Sequence, residues 1–247
     1  MSVEADRDWL AKNYPGLKYK TNGVIEGSLS FQMLHLDGQH YIRPDSEFVA
    51  KHYSRGIHLC DTYKVKIVPQ RGRNWPFAHE TGSRITTVAN QRQKSAADLH
   101  LYVTNNAMCL ASNMELDRTF DAGFNLPVFI DEFLVPFLFE QTYYAQNGLW
   151  LWGELAHGYK GLLQWLGRED GYSDADIIAT HKELMSHNDT LDAKKALNER
   201  CRGHKPCLCE SGKKMRDCCP DIKMAISRLR HAANRGIISL DSVTVRL

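Results

Sequence analysis

Apolar and polar residues alternate along GSLSFQML, with Leu29, Phe31 and Met33 on one side and Ser28, Ser30 and Gln32 on the other. A period of two places successive side chains on opposite faces of an extended chain, so this stretch predicts a half-buried strand. TYKVKIVP repeats the pattern: Tyr63, Val65 and Ile67 oppose Lys64 and Lys66, and Pro69 ends the run. SRITTVA predicts a third, shorter strand. Ahead of the strands, Asp6 to Tyr14 brings Trp9, Leu10 and Tyr14 near one face of a short helix, which Pro15-Gly16 stops. Between the strands, GQHYIRPDSEFVAKHYSRGIH reads as polar and irregular, and NWPFAHETG as a rigid turn around Pro76.

After Cys109 the period lengthens. In LPVFIDEFLVPFLFEQTYYAQNG, Phe129, Phe133, Phe137 and Tyr144 recur at helical spacing. Pro127 suits a first helical turn, where a missing N–H costs little. Pro136 predicts a kink or a split. GLWLWGELAHGYKGLLQWLG is rich in Trp, Gly and Leu, which predicts core positions for Trp150 and Trp152. DADIIATHKELMSHNDTLDAKKALNER reads as polar helices acting as a connector. IKMAISRLRHAANRG sets Ile222, Ile226 and Leu229 on one helical face, with Gly236 as a stop, and the tail IISLDSVTVRL alternates like a strand. No repeat interrupts the order of helix, antiparallel strands and helices, which predicts an α+β fold.

With 247 residues the chain can build one good core, or one domain and a smaller appendage. No apolar run approaches the ~20 residues of a membrane helix. The start, MSVEADRDWLAKNYPG, is acidic and lacks the basic and apolar regions of a signal peptide. These features predict a cytoplasmic protein with reduced thiols, whose cysteines are metal ligands or reactive groups before they are disulfides. Charge is uneven. Residues 200–247 hold 11 Lys and Arg against 4 Asp and Glu, whereas the rest holds 20 against 25. A basic C-terminal region suits a solvated surface, a nucleic acid or an acidic partner.

KPCLCESGKKMRDCCP carries Cys207, Cys209, Cys218 and Cys219 as C-x-C, eight residues, then C-C. Four thiolates so close in sequence can surround one Zn²⁺ tetrahedrally, and a closed four-thiolate site is structural. Ser211-Gly212 lets the segment double back, and Lys213, Lys214 and Arg216 offset its negative charge. Redox thiols are the competing reading, and Cys201 or His204 just upstream can substitute for a ligand. The segment resembles the SEC-C zinc motif found at the ends of many bacterial proteins, including the protein-export ATPase SecA; it departs at Glu210, where that motif usually has glycine.

Of the other cysteines, Cys60 in IHLCDTYKV reads as a buried structural thiol. Cys109 follows the polar turn Thr104-Asn105-Asn106 and precedes a leucine. Flanked by Met108 and Leu110, it suits a core position as well as a nucleophile. The strip H-x-Y-x₆-C-L from His100 to Leu110 resembles the active-site strip of ubiquitin-conjugating enzymes. The helix, the strands, the Trp75-Pro76-Phe77 turn and the later helices fall in that family's order. The resemblance is nearest to the divergent bacterial branch of CBASS antiphage operons, which WLWGELAHGYKG with His157-Gly158 also resembles. Where the family carries His-Pro-Asn, this chain has His100-Leu101-Tyr102. The oxyanion asparagine is absent from its place, leaving Asn105, Asn106 or a histidine to serve.

The resemblance implies a ubiquitin-conjugating-like domain over residues 1–167, a helical connector over 168–200, the zinc motif over 201–220 and a C-terminal helix and tail over 221–247. It implies that Cys109 carries an acyl group as a thioester and passes it to a target lysine, with His100 or His157 taking the amine proton. The implied donor is the C-terminus of a partner cyclic-nucleotide synthase (CD-NTase). The plainer reading of His100 is a strand-end histidine with a satisfied hydrogen bond, and that of His157 a helix-terminal histidine beside Gly158. Three other classes stay open: a zinc-containing adaptor or nucleic-acid-binding protein, a cysteine hydrolase, and a non-catalytic scaffold. Against nucleic acid, basic and aromatic residues are not interleaved as single-strand binding surfaces require.

Overall fold

The computed structural model describes residues 3–152, 158–168, 172–186, 197, 204–207 and 212–239. The chain is α+β and divides into two compact units, Met1–Gly153 and Glu154–Leu247.

The first unit opens with helix α1 (Val3–Asn13) and is built on an antiparallel sheet. Strands β1 (Leu17–Tyr19), β2 (Ile25–Leu36), β4 (Ile57–Val68) and β5 (Phe77–Glu80) lie side by side in that order, and β3 (Gln39–Ile42) pairs with the far end of β2. The two alternating runs form the centre of the sheet: Leu29 lies opposite Tyr63, Gly27 opposite Val65 and Ile25 opposite Ile67. Leu29, Phe31, Met33, Tyr63, Val65 and Ile67 are all buried, as their period of two predicts. At the β1 edge the backbones nearly touch. A Cβ on Gly27 would stand 2.0 Å from the Gly16 carbonyl oxygen, and its φ of 148° also favours glycine.

Three stretches differ from the sequence pattern. SRITTVA is helix α3 (Arg84–Gln91), not a strand. Ile85, Val88 and Ala89 stand at i, i+3 and i+4, and the Thr86 and Thr87 hydroxyls donate to the Ser83 carbonyl. Local hydrogen bonds and one buried helical face override β-branched propensity here. The polar segment after Gly38 contains β3 and helix α2 (Ser46–His52), whose start Asp45 caps by accepting from the Phe48 N–H at 2.7 Å. The Pro76 turn runs directly into β5.

Helices α4 (Asn113–Thr119), α5 (Leu126–Val128) and α6 (Val135–Asn147) follow. Pro136 does split the long helical run: a π-helical stretch, Phe129–Leu134, joins α5 to α6. The wider turn accommodates a residue that cannot donate to the preceding turn and whose ring would otherwise strike it. Asp131 in this stretch accepts from both Arg43 terminal nitrogens, at 3.0 and 2.6 Å, and from the Tyr14 hydroxyl at 2.5 Å. The stretch is thereby fixed to α1 and to the end of β3.

Three buried polar residues interrupt the apolar face of α6: Glu140, Gln141 and Thr142. The Thr142 hydroxyl donates to Asp61 at 2.8 Å and meets the Tyr63 hydroxyl at 3.0 Å. Arg84 completes the group, donating to both Asp61 carboxylate oxygens at 2.6 and 2.5 Å. Glu140 accepts from the Leu151 and Trp152 N–H groups at 3.2 and 2.9 Å. Trp150 is only half-buried and Trp152 is 36% exposed, so neither is a core residue. Trp152 instead lids a small cluster. It stacks on Phe139 at 5.9 Å and lies 4.5 and 5.5 Å from the rings of His40 and His35.

In the second unit, helix α7 (Tyr159–Arg168) packs on α8 (Asp174–Ser186) and on α9 (Pro220–Asn234). Ile222, Ile226 and Leu229 are buried as expected, with Ala225 and Ala232. Gly167 lets α7 approach α9, since a Cβ there would meet the Asp221 carbonyl oxygen at 1.9 Å. This packing places α7 with the C-terminal helices, and the boundary between the two compact units falls after Gly153. Residues 187–196 and 198–200 of the polar connector and 240–247 of the tail lie outside the described residues.

Burial holds the His35 and His40 pKa values below the ordinary 6.5, and the charge of His35 lowers His40 further. The unfolded chain therefore binds protons more readily than the folded one. The stability these rings contribute is complete above about pH 6.5 and declines as pH falls below it. Urea unfolding midpoints should drop over that range, and the His35→Gln/His40→Gln variant should show a flatter dependence.

Candidate functional site

The strip from His100 to Cys109 is a tight hairpin laid against the edge of the sheet. Leu101 bridges to Met108, and His79 of β5 bridges to Ala107. The Met108 N–H donates to the Ala78 carbonyl at 2.7 Å, and the Tyr102 N–H to the Ala107 carbonyl at 2.8 Å. Asn105 and Asn106 make the turn: the Asn105 side chain accepts from the Ala107 N–H at 3.0 Å, and Asn106 has a φ of 55°. The polar turn thus aims the two strands, and Ala107 and Met108 bury themselves beneath it.

Cys109 and His100 are cross-strand neighbours. The Cys109 N–H donates to the His100 carbonyl at 2.7 Å. His100 itself is left-handed, with a φ of 56°, and its ring packs edge-on to Trp150 at 5.0 Å. Trp150 in turn stacks on Tyr144 of α6 at 4.3 Å. One residue upstream, the buried Gln141 amide donates to the Leu99 carbonyl at 2.8 Å and pins the base of the hairpin to α6. On the other side the Trp75-Pro76-Phe77 turn is fixed to α4, where the Trp75 indole N–H donates to Asp117 at 2.7 Å.

The Cys109 thiol is half-buried, with its sulfur 3.9 Å from the Ala111 carbonyl oxygen. Burial pushes its pKa up, and a hydrogen bond from the Tyr102 hydroxyl draws it part of the way back. Tyr102 occupies the third position of His100-Leu101-Tyr102, and its single hydroxyl proton is shared with the Asn113 side-chain oxygen, 3.3 Å away. The hairpin therefore unites Cys109, His100 and Tyr102. His157 lies outside the described residues. Sequence pattern passed over both Tyr102 and Gln141. The only signal for Gln141 was its place in the polar triplet Glu140-Gln141-Thr142 within an otherwise aromatic and apolar run.

The second candidate is the cysteine group near the C-terminus. Pro206 bridges to Lys214, and the Cys207 N–H donates to the Lys213 carbonyl at 2.8 Å, so the segment doubles back as expected. A short turn, Met215–Asp217, leads to Cys218 and Cys219, and Cys219 immediately precedes α9. The sulfurs of Cys207, Cys218 and Cys219 all lie within 4.8 Å of one another, and those of Cys218 and Cys219 are 3.7 Å apart. A tetrahedral zinc with bonds of about 2.3 Å requires sulfurs about 3.8 Å apart. These three cysteines could hold a metal such as zinc. Cys209 and Cys201 lie outside the described residues, and His204 is exposed.

No protein-family model, curated protein or solved structure matches the chain. No helix among the described residues is long and apolar enough to cross a membrane.

Two measurements follow from this geometry. Gln141→Met leaves the buried Leu99 carbonyl without its donor, so it should cost about 1–3 kcal/mol in chemical denaturation and speed alkylation of Cys109 by loosening the hairpin. Co²⁺ titration should give an intense thiolate-to-metal absorption band, lost in Cys218→Ser/Cys219→Ser and displaced by Zn²⁺; a chelator should then lower the melting temperature.

Proposed function

We propose that the chain is a ubiquitin-conjugating-like acyl transferase of the CBASS antiphage type, in which Cys109 is the acyl carrier. The observation that carries this reading is the placement of Cys109 on a rigid hairpin, paired through its backbone to His100 and touched by the Tyr102 hydroxyl. The order of the first unit is consistent with it: α1, an antiparallel sheet, the Trp75-Pro76-Phe77 turn, the cysteine strip, then helices.

In the proposed reaction, the Cys109 sulfur bonds to the carbonyl carbon at the C-terminus of a partner cyclic-nucleotide synthase, and the thiol that delivered it leaves. A target lysine amine then attacks the thioester. The new C–N bond forms, the C–S bond breaks, and the Cys109 thiol is restored. His100 or His157 takes the amine proton, since an imidazole titrates near neutrality. Tyr102 fills the place of the absent asparagine. In the transition state its single phenol proton turns to the oxyanion that develops one bond from the sulfur. The C-terminal cysteines, with Cys209 as fourth ligand, hold a structural Zn²⁺ and give the chain a closed docking module.

A second reading, a zinc-containing adaptor without catalysis, draws support from the raised pKa of the half-buried thiol. One experiment separates the two. The chain is combined with its synthase partner and an activating protein, and the products are run on non-reducing gels and weighed intact. A thiol-sensitive adduct is expected for the wild type and a thiol-stable ester for Cys109→Ser. Cys109→Ala should give none, and Tyr102→Phe should transfer about 10²-fold more slowly. An adduct that persists in Cys109→Ala overturns the assignment, and full biological activity of Cys109→Ala establishes the adaptor.

A further inference from the structure

Strands β2 and β3 are joined by the two-residue turn Asp37-Gly38, in which both residues have positive φ. That turn sets the register, with Leu36 opposite Gln39 and His35 opposite His40. In an antiparallel ladder, hydrogen-bonded and non-hydrogen-bonded pairs alternate. The Arg43 N–H donates to the Gln32 carbonyl at 2.8 Å. Counting three pairs back from there makes His35–His40 a non-hydrogen-bonded pair, the kind whose side chains lie closer. The two imidazole rings stand 5.1 Å apart. His40 is exposed and His35 half-buried, so solvent reaches the pair from the His40 side. His35 Nδ1 is buried and has no hydrogen-bond partner among the described residues. A buried polar atom left unpaired is costly, so this one asks for a partner.

We propose that His35 and His40 form a two-histidine site for a divalent transition-metal ion. A neutral imidazole offers one lone pair, and two of them facing each other across a hairpin supply two nitrogen ligands on one rigid support. A metal bond also gives the orphaned ring of His35 a partner. Among the described residues, only the C-terminal cysteines bring three metal-ligating side chains together. At the histidine pair, water therefore completes the coordination shell. Imidazole ligands suit Ni²⁺, Cu²⁺ and Zn²⁺, whereas Mg²⁺ and Ca²⁺ prefer oxygen. Trp152, 4.5 Å from the His40 ring, serves as a built-in reporter. The site needs neither Cys109 nor the C-terminal cysteines.

The test adds Ni²⁺ to the full chain, supplied first with one equivalent of Zn²⁺ for its C-terminal thiolates. Binding is read by calorimetry and by tryptophan fluorescence. Saturable binding should remove part of the emission, because a paramagnetic ion beside Trp152 quenches it. Mn²⁺ should bind more weakly than Ni²⁺, and Mg²⁺ should not compete. His35→Gln and His40→Gln should each weaken Ni²⁺ binding at least ~10-fold, since even the loss of a group that supports a ligand costs about that much. Trp152→Phe should keep the affinity and lose the emission change, and His58→Gln should alter neither. His40 is exposed, so its replacement leaves the core intact. Unchanged affinity in folded His40→Gln, binding lost only in His58→Gln, or no saturable binding at all would overturn the proposal.

Discussion

The first unit depends on how one apolar helix satisfies three consecutive buried polar side chains. Glu140, Gln141 and Thr142 follow one another on α6, and successive residues on a helix point about 100° apart. They therefore reach three different elements. Thr142 meets the sheet through Asp61 and Tyr63, Gln141 holds the carbonyl at the base of the Cys109 hairpin, and Glu140 holds the N–H groups of Leu151 and Trp152. A buried polar group left unpaired costs more than its hydrogen bond gains. The sheet, hairpin and tryptophan segment must therefore all be in place together for this helix to be stable in its position. Apolar packing gives the core its bulk, and these contacts fix its register.

The same requirement explains why the helix is irregular just before these residues. Pro136 would block a uniform α-helix, and the π-helical stretch relieves it one turn upstream. That stretch also sets the direction of Asp131, which joins Arg43 and Tyr14 to form the ion pair at the opposite edge of the unit. Burial raises the Tyr14 hydroxyl far above its ordinary range, and the Asp131 carboxylate raises it further, so the phenol remains a donor throughout the physiological range.

Much of this was legible in the sequence because it follows from periodicity. The two long strands, the opening helix, the doubling back at the C-terminal cysteines and the split at Pro136 each need only local pattern and the chemistry of one residue type. What was not legible depends on tertiary partners. SRITTVA carries β-branched residues, and only its buried face and the Ser83 carbonyl make it a helix. Trp152 is as apolar as Trp165, yet the first lies partly in solvent over a histidine pair and the second is buried. Cys60 and Tyr63 stand three residues apart on one strand, so the pleat that buries the tyrosine exposes the thiol, against the buried position its sequence context predicts. Tyr102 could be found only by folding the hairpin, since nothing in its neighbours points to Cys109.

The environment of Cys109 bears on what kind of nucleophile it would be. A half-buried thiol with a raised pKa is a poor free nucleophile, because little thiolate exists at neutral pH. The same property suits an acyl carrier under the proposed chemistry. A thiolate of high pKa is a reluctant leaving group, so its thioester resists water. Burial on one side also restricts the approach of solvent. Under that proposal, transfer requires an amine brought to the open side and a donor for the oxyanion, the role given to Tyr102, whose hydroxyl lies 3.3 Å from the Asn113 side-chain oxygen. An activated, exposed cysteine would load faster and also hydrolyse faster. As the carrier in the proposed reaction, such a hairpin would favour retention over speed and leave the rate to the surface that presents the lysine.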